Sequence, residues 1–256
     1  MAYCVYCSSP ARDGAKFCGK CGRAIEQKAF MGKTTPLYER LIRGHNILIA
    51  GCTGSGKSTL INALLEVISL ENVNEHRTVL IDVKQVELGR YVGTKHCLAC
   101  ATSIEEAERT LTSVLNIIQE RLTDMRERKL THYDKYTLHL VIDEMADLIL
   151  TSKKATNLIQ RIAQLGRAAK VQVIMATQCP LASVIPTRIK VNFPVTIGLH
   201  TVTSQHSRNI IEENGCEELP MHGEALIRFP GEPIAKHKLP MFSEELIWQA
   251  IEADRR

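Results

Sequence analysis

The apolar positions of this 256-residue chain fall into short continuous runs that alternate with stretches of helical periodicity. Such runs predict strands that are buried on both faces of a sheet. Strands alternating with helices are typical of a doubly wound α/β fold with a mostly parallel sheet. The five predicted strands are HNILIAG (45–51), TVLIDV (78–83), LHLVID (138–143), VQVIMAT (171–177) and VTIGLHT (195–201).

The helical stretches repeat apolar side chains at three- and four-residue spacing. The longest is predicted from Ser103 to about Lys129, and Ser103 and Glu106 predict a capping box at its start. Other helices are predicted at residues 57–70, around 153–169 and 204–213, and after Ser243.

The beginning of the chain lacks this pattern. Residues 3–22 contain almost no aliphatic side chains and cannot fold by burying apolar surface. Two C-x2-C pairs could supply a closed tetrahedral Zn²⁺ site, whose binding energy would fold the segment. We predict a zinc ribbon over residues 1–25, a linker over 26–43 and a main domain over 44–256. The predicted zinc ligands are Cys4, Cys7, Cys18 and Cys21.

Composition narrows the class of protein. Apolar residues make up 45% and charged residues 23% of the chain, as in an ordinary globular protein. We find no membrane-spanning run and no signal-peptide pattern, so we expect a cytoplasmic protein. The net charge is +4, but the first 28 residues, with five Lys/Arg and two Asp/Glu, hold most of this excess. Bulk charge therefore does not mark the main domain as a nucleic-acid binder.

A phosphate-binding loop is the strongest chemical signal. GCTGSGKST follows the first predicted strand and opens a helix, as the motif G-x-x-x-x-G-K-[ST] requires. Backbone N–H groups of such a loop surround the phosphates of ATP, its lysine reaches the β- and γ-phosphates, and its serine ligates Mg²⁺. The predicted ATP-binding residues of the loop are Gly51, Cys52, Thr53, Gly54, Ser55, Gly56, Lys57, Ser58 and Thr59.

Polar residues at the ends of two later strands complete this predicted site. Asp143 closes the third strand, where it can hold Mg²⁺, and Glu144 is placed to activate a water molecule. Gln178 follows the fourth strand and can contact the γ-phosphate. A solvated acid at Glu144 and an ordinary strand-end side chain at Gln178 are the alternatives.

Six motifs in one order resemble the motor domain of the FtsK/SpoIIIE DNA translocases. The resemblance covers about residues 44–230. It includes the phosphate-binding region and VIDEMADL, and Asp82, Lys84, Glu87, Leu88 and Tyr91 match one family segment. The motifs are NILIAGCTGSGKSTLINALL, IDVKQVELGRY, VIDEMADL, IAQLGRAA, ATQCP, and the series IKVNFP, SRNII and GEALIR.

The resemblance implies a RecA-like P-loop fold, a homo-oligomeric ring, expected to be a hexamer, and ATP-driven movement of double-stranded DNA. The family usually has an arginine where this chain has Thr196, and that arginine is a candidate to reach a neighbour's ATP. Arg161, Arg167 and Arg188 are possible substitutes, and we favour Arg167 as a catalytic residue.

We therefore predict an ATPase that translocates DNA, with ATP, Mg²⁺ and Zn²⁺ as cofactors. The zinc ribbon would recruit DNA or a protein partner. Two other functions remain open: a motor that moves a protein cargo, and a nucleotide-gated DNA-binding adaptor without efficient turnover.

Overall fold

The computed structural model describes residues 2–3, 10–11, 19–20, 36–240 and 244–255. The strands within these ranges are β1 (Ala2–Tyr3), β2 (Pro10–Ala11), β3 (Ile47–Ala50), β4 (His76–Ile81), β5 (Cys97–Ala101), β6 (Thr137–Ile142), β7 (Val171–Thr177), β8 (Val195–Gly198), β9 (Glu224–Arg228) and β10 (Ala235–Lys238). The α-helices are α1 (Pro36–Ile42), α2 (Lys57–Leu70), α3 (Ile104–Glu127), α4 (Met145–Thr151), α5 (Lys153–Leu165), α6 (Thr187–Lys190), α7 (Ser204–Ile211) and α8 (Glu244–Arg255).

Eight strands form one sheet in the order β10-β9-β8-β3-β7-β6-β4-β5. The six strands from β8 to β5 run parallel, whereas β9 and β10 pair antiparallel at one edge. The predicted α/β class with a mostly parallel sheet is confirmed, and all five predicted strands lie in its parallel part. The sequence missed β5, β9 and β10.

The sheet separates two apolar cores. Alternate residues of β3 enter different cores, because successive side chains of a strand point to opposite faces. Ile47 and Ile49 pack with α1, α2 and α8, and Leu48 and Ala50 pack with α3, α4 and α5. Every residue of β3 is buried, which explains its continuous apolar sequence.

Buried polar side chains fix the alignment of neighbouring strands. The Asn46 side chain accepts a hydrogen bond from Val173 N at 2.8 Å and donates to Ala163 O and Asn192 O at 3.0 and 2.9 Å. It thereby ties the start of β3 to β7, to the end of α5 and to the turn before β8. The Asn46 amide thus makes three hydrogen bonds, in keeping with the rule that buried polar groups find partners.

Helix α1 lies in the segment that the sequence assigns to a linker. Its Tyr38, Leu41 and Ile42 are buried in the core beside α2, and the Tyr38 hydroxyl donates to Pro240 O at 2.9 Å. These residues pack because their side chains fall on one helical face. The packed domain therefore extends at least to Pro36.

Two of the sequence predictions concern the zinc ligands and membrane-spanning helices. The four predicted zinc ligands lie outside the described residues, and near them the structure describes a short antiparallel pairing of β1 with β2 and a turn at residues 19–20. In the described parts of the chain, no helix combines the length and apolar character that crossing a bilayer requires.

Packing of α1 has a measurable consequence. Leu41 is 2% exposed, so Leu41→Ala should lower the free energy of unfolding by about 2–4 kcal/mol, because it leaves a cavity in the core. Leu150→Ala, at a leucine that is 63% exposed, is the matched control and should change it by less than about 0.5 kcal/mol. Equal effects of the two variants in urea unfolding would mean that α1 does not stabilise the domain.

Candidate functional site

Apart from Arg167, the predicted residues of the nucleotide site converge where the carboxyl ends of three parallel strands meet. The loop of residues 51–56 follows β3, Asp143 follows β6 and Gln178 follows β7. Backbone hydrogen bonds hold the strand ends together, from Gly51 N to Thr177 O at 3.4 Å and from Asp143 N to Ile81 O at 3.2 Å. Parallel strands place their carboxyl ends at the same edge, where ligands bind in open α/β sheets.

The loop after β3 has the backbone of a phosphate cradle. Gly56 adopts φ 95° and begins the 14-residue helix α2 without a side-chain cap, so the first N–H groups of this helix are not capped by a side chain. A Cβ atom at Gly51 would approach Ser55 Oγ to 2.6 Å and Leu199 Cβ to 2.8 Å. The backbone here requires glycine, and it leaves donors that suit an anion.

Lys57 points its ammonium group back into this loop. Its Nζ donates to Gly51 O at 2.8 Å and to Cys52 O at 2.7 Å, and the residue is 6% exposed. Burial lowers the pKa of Lys57, while the nearby Glu144, Cys52 and Asp143 oppose this effect. The charge is thus held inside the loop by carbonyl groups that a phosphate could replace.

Asp143 lies among other carboxylates. Burial raises the pKa of Asp143 to about 6, and the charges of Asp82, Glu87 and Glu144 act in the same direction. The ionised form is therefore short of compensating positive charge, which a hard divalent cation supplies. Ser58 stands on the first turn of α2, half-buried. The donor set of Ser58 and Asp143 fits Mg²⁺.

The Glu144 side chain is buried and hydrogen-bonded. It is 8% exposed and forms the N-cap of α4, where its Oε1 accepts a hydrogen bond from Ala146 N at 3.2 Å. Its Oε2 accepts from Gln178 N at 3.0 Å. The structure thus excludes the alternative of a solvated strand-end acid.

Gln178 connects this carboxylate with the phosphate-binding loop. While its backbone N–H donates to Glu144, its side-chain Oε1 accepts a hydrogen bond from Thr53 Oγ1 at 2.7 Å. Lys57, Asp143, Glu144 and Gln178 therefore belong to one site within one chain.

Arg167 does not join this site within the chain. It lies just before β7, at the amino ends of the strands, and lines a cavity of about 680 Å³ there with Arg40, His45 and Lys170. Thr196, at the position where an arginine was expected, is fully buried in β8. The Thr196 side chain does not reach the surface, and Arg167 could act only on the nucleotide of another copy.

Other residues around the loop had no sequence signal. His200 O accepts a hydrogen bond from Cys52 N at 2.9 Å, and His200 Nδ1 bonds Leu219 O at 2.7 Å. A small cavity beside the start of α2 is lined by Thr59, His222 and Leu239, among other residues. His200 follows β8, whereas His222 and Leu239 lie in the turns before β9 and after β10, and none of the three belongs to a predicted site motif.

Comparison with known proteins finds a family model that matches part of this chain and several similar proteins. Residues 24–141 match the model of the FtsK/SpoIIIE family. The chain is 32% identical to the DNA translocase FtsK of Pseudomonas aeruginosa over 258 residues, which cover 85% of this chain and 32% of that protein. It is 34% identical to the DNA translocase FtsK of Helicobacter pylori over 212 residues, which cover 77% of this chain and 25% of that protein. The chain spans about a third or less of these relatives.

Solved structures share the fold. The pCW3 conjugation coupling protein TcpA superposes with a TM-score of 0.73 at 23% identity, over 84% of this chain and 66% of that one. The cytoplasmic domain of the type VII secretion ATPase EccC from Thermomonospora curvata gives a TM-score of 0.72 at 23% identity, over 83% and 28%. The chain thus has the fold of the P-loop ATPases.

The pKa of Asp143 predicts how stability depends on pH. The folded-state value of about 6 lies above the ordinary 3.8, so the folded protein binds more protons between these pH values. Stability therefore falls as pH rises through this window, and the cost of ionised Asp143 is complete above it. Without Mg²⁺ and nucleotide, Asp143→Asn should raise the melting temperature at pH 8 by roughly 2–6 °C, and the gain should vanish near pH 4.

The control for this measurement is Asp134→Asn. Asp134 pairs with Arg128 at the surface, and this partner lowers its pKa, so its replacement should bring no gain at pH 8. An increase in melting temperature for Asp143→Asn that persisted unchanged at pH 4, or a decrease at pH 8, would contradict the raised pKa of Asp143.

Proposed function

Because residues 24–141 match the model of the FtsK/SpoIIIE family, we propose that this protein hydrolyses ATP to move along double-stranded DNA. The observation that supports this most directly is the assembly of Lys57, Asp143, Glu144 and Gln178 around one phosphate-binding loop. The relatives named above are DNA translocases. We therefore favour DNA as the cargo.

Each residue of the site would have its own role in ATP hydrolysis. Lys57 would leave its two carbonyl partners and neutralise the β- and γ-phosphates. Ser58 and Asp143 would hold Mg²⁺, which supplies further positive charge to the phosphates when bound. Gln178 would contact the γ-phosphate.

Glu144 would act as the general base. Its carboxylate would take a proton from a water molecule whose oxygen forms the new bond to the γ-phosphorus, while the bond from that phosphorus to the leaving ADP oxygen breaks. Two backbone hydrogen bonds hold the Glu144 carboxylate in place for this step. They also leave lone pairs of its oxygens free to accept the proton.

The wider assembly is part of the same proposal. The protein would act in the cytoplasm as a homo-oligomeric ring, expected to be a hexamer, with Arg167 of each copy contacting the nucleotide of a neighbour. The residues Cys4, Cys7, Cys18 and Cys21 would bind Zn²⁺ and form a ribbon that recruits DNA or a protein partner.

The central test is steady-state ATP hydrolysis with and without long double-stranded DNA, on zinc-replete protein. We expect DNA to raise the rate several-fold, Lys57→Ala to abolish nucleotide binding, and Glu144→Gln to bind ATP while kcat falls about 10²- to 10⁴-fold. A rate indifferent to DNA would point to a protein cargo. Binding without hydrolysis would point to an adaptor, and wild-type hydrolysis by Glu144→Gln would refute the assigned base.

The role of Arg167 can be tested by mixing two inactive variants. If Arg167 acts across a subunit boundary, a Lys57→Ala copy can supply it to the intact phosphate loop of an Arg167→Ala copy. Each variant alone should lose at least about 10³-fold in rate, and the equimolar mixture should regain a measurable part. Arg109→Ala, at an exposed arginine of α3, is the control. A mixture that is no faster than its components would remove Arg167 from this role.

A further inference from the structure

Lys84 belongs to a motif that the proposed function leaves without a role. It lies in IDVKQVEL, after β4, and its ammonium group reaches the start of α4. Its Nζ is 3.8 Å from Glu144 Oε2 and 3.6 Å from Asp147 Oδ2. One cation from a separate loop therefore stands between two carboxylates.

The loop that carries Lys84 is held firmly. The carboxylate of Asp82 accepts backbone hydrogen bonds from Val86, Glu87 and Leu88 at 3.4, 3.0 and 2.8 Å. Gln85 takes the left-handed conformation, with φ 58°, and Leu88 is fully buried. These contacts fix the backbone beside Lys84, so the direction from which its side chain approaches α4 is fixed as well.

The two carboxylates need a cation between them. Glu144 and Asp147 are three residues apart at the start of one helix, a spacing that brings side chains together and makes like charges repel. Lys57, the other ammonium group near Glu144, is bound to carbonyl groups of its own loop. Lys84 is thus placed to offset the repulsion from Asp147.

We propose that Lys84 is a positioning residue, which keeps the carboxylate of Glu144 oriented toward the attacking water by balancing the charge of Asp147. This inference rests on the proposed function, in which Glu144 is the general base. Two backbone hydrogen bonds to Glu144 remain when Lys84 is removed. The loss should therefore be one of orientation, smaller than the loss caused by Glu144→Gln.

Steady-state hydrolysis of four variants tests the proposal. Lys84→Met should lower kcat about 10- to 100-fold and change KM for ATP less than about three-fold, because a misplaced base slows the chemical step without altering the phosphate loop. Lys84→Arg should recover part of the loss. Lys238→Met, at an exposed lysine of β10, is the matched control and should match the wild type.

The decisive variant combines two changes. If Lys84 acts by balancing Asp147, then Asp147→Asn in the Lys84→Met background should restore the rate at least about five-fold, whereas a merely structural lysine would show no such rescue. Thermal unfolding of each variant checks that it folds.

The outcomes separate this inference from the function on which it rests. A wild-type protein that does not hydrolyse ATP overturns the proposed function and this role together. Normal wild-type hydrolysis with an unchanged kcat for Lys84→Met, or a double variant no faster than Lys84→Met, overturns only the role of Lys84.

Discussion

Strand β3 is hydrogen-bonded on both sides to parallel neighbours, and the position of every site residue depends on that pairing. Ala50 is paired with Thr177 of β7 and with Gly198 of β8, so the phosphate-binding loop emerges between the ends of these strands. The loop is then held by Thr177 O and His200 O. A shift of register by one residue would move all apolar side chains of β3 to the wrong core, so the same burial that stabilises the sheet also locates the loop.

Electrostatic conflict is concentrated at this edge of the sheet. Asp143 is raised in pKa by burial and by its acidic neighbours, while the Lys57 ammonium group is buried against carbonyl oxygens. Burial therefore disfavours the charged form of both groups. A phosphate chain with its cation would satisfy both, because it brings negative charge to Lys57 and positive charge to Asp143.

The sequence predicted the parts of this arrangement that are contiguous in the chain. The phosphate-binding loop and the strand that ends at Asp143 carry local patterns, and both the predicted strands and the mostly parallel sheet were confirmed. Strand β5 was missed because CLACA consists mainly of Cys and Ala and contains none of the β-branched or aromatic residues that favour strands. Helix α1 was taken for a linker because its seven residues are too short for a clear helical period. The contact between Thr53 and Gln178 joins residues 125 positions apart, and no local pattern reports such a pair.

Gln178 contacts Glu144 through its backbone and Thr53 through its side chain. Its backbone N–H, fixed by the end of β7, donates to Glu144, whereas its side chain accepts from Thr53 in the loop. A side chain can rotate without moving the backbone that carries it. The loop can therefore release Gln178 and rearrange around a phosphate while the hydrogen bond that orients Glu144 stays intact. Glu144, the proposed base, is thereby positioned by the end of β7 and not by the phosphate-binding loop.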